Sequence, residues 1–288
     1  MSHDHDADFY DREYNPRLQI SNAAEHFARW KTRSEAARAH CAPRLDLAYG
    51  AAESERLDFF PSHTAHGPIL LFIHGGYWRA LDKSDFSWIA PAYVAAGLSV
   101  SVLNYGLAPA TRIPDIADQI RRACAWIYVN ARTLGFSPDR MFLSGHSAGG
   151  HLTALMLATD WARFRPGLPS RLLAGAVAIS GIFDLVPLLR ARFLQDDIHL
   201  LPEEQRLLSP INLQPLNEAP LLLGVGQLES AAFHQQAKSL AAKWTSSVVH
   251  PVMDVAGRNH FSVCDDFGDP TGHLFAATHA LTQRSPEP

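Results

Sequence analysis

Cysteine is scarce in this 288-residue chain. Three cysteines are present, Cys41, Cys124 and Cys264, and none belongs to a Cys-x-x-Cys pair. An odd number without paired spacing argues against a disulfide framework and against a thiolate zinc site, so we expect reduced, buried thiols. The N-terminus also lacks the basic segment followed by an apolar one that marks a secretory signal. We therefore predict a cytoplasmic protein.

A surplus of positive charge is also missing. The chain carries 25 Lys and Arg residues against 29 Asp and Glu residues, which gives a formal net charge of −4. Nucleic acids and anionic lipid surfaces attract proteins with basic patches. We therefore expect neither a nucleic acid nor a membrane as partner. A homodimer is the expected assembly, because two-fold dimers are the commonest soluble oligomers.

No long hydrophobic run continues far enough to cross a membrane. The segment between Asp85 and Arg112 contains no charged residue, but Pro91, Gly97 and Pro109 divide it into short pieces. A bilayer core of about 30 Å requires about 20 consecutive apolar residues in one helix. The segment is better interpreted as a helix end, a turn and a buried strand.

Short apolar runs alternate with longer, helix-like segments from Pro68 onward. The apolar runs span 69–73, 98–103, 140–144, 174–180, 220–226 and 247–255. Continuous Val, Ile and Leu runs are typical of strands buried on both faces of a parallel sheet. The crossover helices are predicted at 82–96, 115–134, 148–160, 231–244 and 272–283. This pattern predicts an α/β fold with a mostly parallel, doubly wound sheet in a single domain, 1–288.

Two segments stand outside this alternation. An N-terminal extension, residues 1–43, has helix-forming composition at 22–39 and precedes extended runs at 44–49 and 55–60. A Pro-containing cap insertion, residues 184–218, predicts one or two short helices. Ligands of such sheets bind beyond the carboxyl ends of the strands. The cap insertion would therefore shape a substrate pocket, or it is a surface excursion without a role.

A serine lies between glycines directly after a predicted strand. The segment reads Gly145-His146-Ser147-Ala148-Gly149, and an apolar stretch of helical composition follows it. A Gly-x-Ser-x-Gly string between a strand and a helix is typical of a nucleophile elbow. The turn is so sharp that side chains at Gly145 and Gly149 would collide with backbone. We predict Ser147 as a nucleophile.

A histidine must accompany this serine, because the hydroxyl becomes a good nucleophile only when a base accepts its proton. Of the fifteen histidines, His260 follows the last predicted strand in a short loop. The chain order serine, acid, histidine places the base there. His146 and His151 flank the elbow and are assigned structural roles, while His146 is also a candidate for substrate contact.

The third expected group is a carboxylate that orients the histidine. Glu229 is the carboxylate that follows the penultimate predicted strand, and no aspartate lies beside it. Chain order favours Glu229. Asp184, after the preceding strand, and Asp254, at the end of the last strand, are the alternatives.

Two glycines follow the first of the parallel strands, in the segment 74–78, HGGYW. Glycines allow backbone N–H groups to turn toward a serine, and HGGG-type oxyanion loops occupy this position. We predict that this oxyanion loop stabilises an oxyanion through Gly75, Gly76 and Tyr77. The N–H of Ala148, directly after the nucleophile, would supply a further donor.

Together these segments resemble the α/β-hydrolase superfamily and, within it, the kynurenine formamidase (arylformamidase) branch. The resemblance covers most of the chain and is carried by HGGYW at 74–78, GHSAG at 145–149, and the segments 225–234 and 259–261. Glu229 departs from the aspartate of the formamidases. Ala231 and Ala232 also differ from the family pattern.

The resemblance implies hydrolysis of N-formyl-L-kynurenine to kynurenine and formate, a step of tryptophan breakdown, without a metal or organic cofactor. It implies Ser147 as nucleophile, His260 as general base and then acid, and Glu229 as orienting carboxylate. Tyr77 and Trp78 would contact the small-molecule substrate, although Trp78 fits the core equally well. Related hydrolases act on esters, so a carboxylesterase is the alternative; a non-catalytic binding module is remote, because both Ser147 and His260 are present.

Overall fold

A computed structural model describes residues 7–216 and 219–284. Their strands form one eight-stranded sheet in the order β1-β2-β4-β3-β5-β6-β7-β8. The strands are β1 (Arg44–Ala48), β2 (Arg56–Phe60), β3 (Gly67–Ile73), β4 (Ser99–Leu103), β5 (Phe136–His146), β6 (Gly175–Ile179), β7 (Leu221–Gly226) and β8 (Val248–Val255). Strands β3 to β8 run parallel, and β2 pairs antiparallel with β1 and β4. The predicted, mostly parallel sheet is confirmed.

Helices connect these strands. They are α1 (Ala7–Tyr14), α2 (Pro16–Gln19), α3 (Ala23–Cys41), α4 (Ala90–Ala95), α5 (Ile113–Val129), α6 (Ala131–Leu134), α7 (Ala148–Leu157), α8 (Trp161–Phe164), α9 (Leu185–Leu188), α10 (Pro202–Leu208), α11 (Ala231–Lys243), α12 (Ser262–Phe267) and α13 (His273–Thr282). No helix in the described ranges is long and apolar enough to span a bilayer.

Apolar side chains cover the sheet on both faces. In β3, Ile69, Leu71 and Ile73 belong to one buried cluster, whereas Leu70 and Phe72 belong to a second one. Successive side chains of a strand point to opposite faces, so the two clusters are the cores on the two sides of the sheet. A run that is apolar at every position is therefore what a strand covered on both faces requires.

Two predicted helices differ from the observed ones. The segment 82–96 forms two 3₁₀ turns, Lys83–Asp85 and Ser87–Ile89, before α4 begins. Pro91 occupies the first turn of α4, where its missing N–H costs no helical hydrogen bond, so the helix starts there rather than at residue 82. The segment 115–134 is divided into α5 and α6. The other predicted helices are observed with small shifts at their ends.

The cap insertion is a series of short turns. It contains α9, a 3₁₀ turn at Arg192–Leu194, α10 and a second 3₁₀ turn at Pro210–Asn212, more pieces than the one or two helices predicted. Residues 217–218 of the insertion and residues 1–6 of the N-terminal extension lie outside the described residues. The assignment of the whole chain to a single domain stays a prediction.

The N-terminal extension packs against the cap insertion. Helix α1 contacts α9, α11 and the first 3₁₀ turn of the insertion. The Nε group of Arg192 donates to Asp11 over 3.2 Å. At the other end of α1, the hydroxyl of Ser230 donates to the carbonyl of Glu13 over 2.6 Å. Helix α1 and the insertion therefore form one layer, which is also bonded to the loop after β7.

Candidate active site

Ser147 lies at the sharp turn between β5 and α7. Its backbone has φ 56° and ψ −115°, a conformation that is strained for any residue with a side chain. A Cβ atom at Gly145 would overlap the carbonyl of Gly149, and one at Gly149 would overlap the carbonyl of Ile73. The predicted collision of side chains at both glycines is confirmed, and the turn presents the Ser147 hydroxyl above the strand ends.

The three predicted site residues meet in one hydrogen-bonded row. The Ser147 hydroxyl lies 3.1 Å from Nε2 of His260. Nδ1 of the same ring lies 2.6 Å from Oε2 of Glu229. The side chains of His260 and Glu229 are 5% and 0% exposed, so water barely reaches their contact. This arrangement allows Nδ1–H to donate to the carboxylate while Nε2 accepts the proton of the serine.

The other carboxylate oxygen of Glu229 is also fixed. Oε1 accepts from the Ser180 hydroxyl at 2.5 Å and from the backbone N–H of Gly226 at 2.7 Å. The two alternative acids lie elsewhere. Asp184 accepts from the N–H of Val186 at the start of α9. The side chain of Asp254 is 65% exposed and faces His234. Glu229 is therefore the carboxylate that the fold brings to His260.

His146 supports the ring of His260 from below. Its Nε2–H donates to the carbonyl of His260 over 2.8 Å, and the two ring centres are 4.7 Å apart. Burial, reinforced by the neighbouring ring of His260, holds the pKa of His146 well below its ordinary value. Phe233 packs on His260 with a ring-centre distance of 4.4 Å. A neutral His146 can thus hold the loop of His260 without competing for its proton.

The oxyanion loop lies against the elbow. A Cβ atom at Gly75 would stand 3.2 Å from Cβ of Ser147, so only a glycine lets the two loops approach this closely. The backbone is left-handed at Gly76 (φ 102°) and Tyr77 (φ 52°). Within the described ranges, the N–H groups of these two residues donate to no protein acceptor. Ala148 is the first residue of α7, and its N–H has no acceptor within the helix.

Tyr77 and Trp78 point in different directions. Tyr77 lines the cavity beside Ser147, and its hydroxyl donates to the carbonyl of Tyr14 in the N-terminal extension. Trp78 is fully buried and packs edge-on against His151, with ring centres 4.9 Å apart. The substrate contact predicted for Trp78 is therefore wrong, and the core alternative is correct. The left-handed backbone at this position (φ 56°) turns the indole inward.

A cavity of about 430 Å³ opens above Ser147. Its floor consists of Gly76, Tyr77, His146, Ser147 and His260. Its roof consists of α2, Phe27 and Trp30 from α3, and Phe193 and Asp197 from the cap insertion. Ligand pockets for small molecules have about this volume. In the described parts of the chain, no cluster of three His, Cys, Asp or Glu side chains suits a metal ion.

The sequence of residues 57–244 matches the family model described as BD-FAE. The chain belongs to the BD-FAE family. This BD-FAE member is 27% identical to the kynurenine formamidase of Salmo salar, with 94% of this chain and 95% of that protein covered. It is 28% identical to the kynurenine formamidase of Danio rerio, with coverages of 89% and 88%. It is also 27% identical to esterase LipC of Mycobacterium tuberculosis, with coverages of 81% and 64%.

Solved structures share the fold of this BD-FAE member. A candidate thioesterase from Silicibacter sp. TM1040 superposes with a TM-score of 0.80 and 31% identity, covering 92% of this chain and 97% of that one. The carboxylesterase EstE1 from a metagenomic library superposes with a TM-score of 0.67 and 19% identity, covering 90% and 94%. The protein is an α/β-hydrolase enzyme that resembles kynurenine formamidases and esterases, as the sequence motifs indicated.

Proposed function

We propose that the protein is a serine hydrolase that cleaves aryl formamides such as N-formyl-L-kynurenine. The observation that carries this proposal is the row of hydrogen bonds from Ser147 through His260 to the buried Glu229, at 3.1 Å and 2.6 Å. A nucleophile, a base and an orienting carboxylate within hydrogen-bond reach form a catalytic triad. The similarity to two kynurenine formamidases over nearly the whole chain supports the substrate class.

The first step forms a tetrahedral intermediate on Ser147. Oγ of Ser147 attacks the formyl carbon while Nε2 of His260 accepts the serine proton. Glu229 stabilises the resulting imidazolium through Nδ1–H, and its bonds to Ser180 and Gly226 keep Oε2 turned toward the ring. The negative charge that develops on the formyl oxygen is stabilised by backbone N–H groups of the oxyanion loop and Ala148.

The intermediate then collapses to a formyl ester of Ser147, and hydrolysis of this ester restores the enzyme. The C–N bond breaks as His260 gives its proton to the arylamine nitrogen, and kynurenine leaves. Water then attacks the formyl ester of Ser147 while His260 accepts a proton from it. Formate departs, and the proton returns from His260 to the serine.

The shape and lining of the cavity support an aromatic leaving group. Aromatic side chains stand on both floor and roof, among them Tyr77, Phe27 and Phe193. Aromatic rings pack favourably edge-to-face or offset, so an aniline ring would find partners here. Because a formyl group carries only a hydrogen on its carbonyl carbon, it needs almost no acyl pocket beside the oxyanion loop.

A carboxylesterase for small or aromatic acyl groups is the second candidate. It is favoured by the similarity to esterase LipC over 81% of this chain. The same nucleophile, base and oxyanion donors cleave an ester, because both reactions pass through a tetrahedral intermediate. The two candidates differ in the leaving group. An amide must release an amine, which leaves only after it has been protonated, whereas an ester releases an alcohol, which depends less on protonation.

Substrate turnover separates the candidates. We would measure kcat/KM for N-formyl-L-kynurenine and for phenyl acetate, with Ser147→Ala as the blank and Ser239→Ala on α11 as the matched control. The proposal expects a formylkynurenine value of about 10⁴–10⁸ M⁻¹s⁻¹. It expects a loss of at least about 10⁴-fold in Ser147→Ala and none in the control. Ester turnover with negligible formamide turnover would establish the second candidate instead.

A further inference from the structure

An ion pair joins the floor of the cavity to its roof. Arg79, directly after the oxyanion loop, pairs with Asp197 of the cap insertion. The guanidinium also lies 5.6 Å from the ring centre of Phe193. Both charged side chains line the same cavity as Ser147. They are 30% and 28% exposed, so a ligand in the cavity can reach both of them.

The proposed mechanism uses neither charge. Among the described residues, Asp197 is the single carboxylate that lines this cavity. Arg17 is the other guanidinium, and it is exposed and stacked on Phe27 at 4.9 Å. Partly exposed ion pairs contribute little to stability, because water screens the two charges. The pair therefore opens at little cost when a ligand offers better partners.

We propose that Arg79 and Asp197 form a binding site for the zwitterionic head group of an α-amino acid. The inference rests on the proposed function and narrows its substrate class to aryl formamides that carry such a head group. The planar guanidinium of Arg79 matches the two oxygens of the substrate carboxylate. The carboxylate of Asp197 accepts hydrogen bonds from the substrate ammonium.

Charge balance explains why a zwitterion is the preferred ligand. When the head group replaces the Arg79–Asp197 contact with two new contacts, each of the four charges keeps a partner. A ligand with a carboxylate alone would leave Asp197 unpaired, and a neutral aryl ester would gain nothing from either residue. The first ligand leaves a partly buried charge without a partner, and the second gains no attraction from the pair, so both bind more weakly than a zwitterion.

The position of Arg79 also connects binding to chemistry. The N–H of Arg79 donates to the carbonyl of Gly76 over 3.0 Å, so the two residues belong to one turn. Gly76 lies in the loop that carries the proposed oxyanion donors. A head group held by Arg79 is thus anchored on the same turn that receives the formyl oxygen. Correct placement of one end of the substrate then favours correct placement of the other.

The test compares two formamides in matched variants. N-formyl-L-kynurenine carries the head group, and formanilide lacks it. We expect the ratio of their kcat/KM values to fall at least about tenfold in Arg79→Gln and in Asp197→Asn, chiefly through KM for formylkynurenine. Arg112→Gln is the matched control, because Arg112 forms another ion pair with the cap insertion, to Glu204 over 2.8 Å, outside this cavity. Its ratio stays at the wild-type value.

Two further substrates assign each charge to its residue. One is the analogue of formylkynurenine that lacks the carboxylate, and Arg79→Gln should hydrolyse it about as well as it hydrolyses formylkynurenine. The other is the analogue that lacks the ammonium group, and Asp197→Asn should hydrolyse it about as well as it hydrolyses formylkynurenine. If kcat/KM for formanilide and for formylkynurenine falls equally in these variants, so that their ratio does not change, the head-group site is overturned. If wild-type enzyme cleaves both formamides equally well, the site fails while the proposed function stands. If it cleaves neither formamide, both fail.

Discussion

The floor and the roof of the cavity are built by different means. The floor stands at the ends of β3, β5 and β8, and its backbone contacts are so close that glycine is required at Gly75 and Gly149. The roof is held by ion pairs and a cation–π contact between the N-terminal extension and the cap insertion, such as Arg192 with Asp11 and Arg190 with Tyr10. Changes in the floor should therefore abolish the chemistry, whereas changes in the roof should alter which substrate is accepted.

The largest effect is expected at the buried end of the hydrogen-bonded row. Glu229→Gln keeps the shape of the side chain but removes the charge that stabilises the imidazolium of His260. We expect kcat for formylkynurenine to fall about 10⁴-fold with little change in stability. The exposed carboxylate Asp254 provides the control, and Asp254→Asn should keep wild-type turnover. Near-normal turnover in Glu229→Gln would remove this residue from the mechanism.

A smaller but still severe effect is expected at the elbow. In Gly149→Ala the new methyl group would overlap the carbonyl of Ile73, so the loops of the floor must separate. We expect the free energy of unfolding, measured with urea, to fall by about 4 kcal/mol. Gly135→Ala separates crowding from backbone conformation, because Gly135 is left-handed (φ 87°) but has open space around it. It should cost only about 1 kcal/mol, and an equal loss in both variants would contradict the crowding argument.

The next effect concerns His151, which ties α7 of the floor to the cap insertion. Its Nε2–H donates to the carbonyl of Leu208 over 2.7 Å, and burial lowers its pKa to about 4. Between pH 6.5 and 4 the unfolded chain binds a proton here that the folded protein does not, so stability falls as the pH decreases. The shift corresponds to about 3 kcal/mol over this range.

Replacing this histidine should flatten the pH dependence. His151→Gln can keep a hydrogen bond to Leu208 but does not titrate. We expect urea unfolding at pH 7 and pH 4.5 to show a smaller difference in this variant than in the wild type. His273→Gln, at an exposed position on α13, should leave the difference unchanged. A pH dependence in His151→Gln as steep as that of the wild type would contradict a buried, neutral His151.

The smallest effect is expected at the hydroxyl of Tyr77, through which the floor of the cavity is hydrogen-bonded to the N-terminal extension. Tyr77→Phe removes the hydrogen bond to the carbonyl of Tyr14 but keeps the ring in the cavity. A single neutral hydrogen bond contributes about 1 kcal/mol, so kcat/KM should fall by no more than about tenfold. Tyr128→Phe on α5 is the matched control. A loss comparable to that of Glu229→Gln would place Tyr77 among the groups that touch the reacting atoms.

Sequence patterns predicted the floor well and the roof poorly. The sharp turn at Ser147 can be predicted from neighbouring residues alone, because a strand, two glycines and a helix follow one another directly. The choice of Glu229 needed the fold, since Asp184 and Asp254 also follow strands. Trp78 was misplaced because its direction depends on a left-handed backbone angle that composition does not reveal. Ser180 donates a hydrogen bond to Glu229, which lies 49 residues further along the chain, and no motif in the sequence indicated this contact.

The contact between Glu13 and Ser230 has a consequence for biosynthesis. The two residues are 217 positions apart, so the N-terminal extension leaves the ribosome long before its partner has been made. At about 5–20 residues per second, the interval is roughly 10–40 s. During that time Tyr14, which is buried in the finished protein, lacks its partners Phe233 and Gln236 on α11. The cavity is therefore among the last parts of the molecule to be completed, and a nascent chain would pass through a stage with an elbow but no roof.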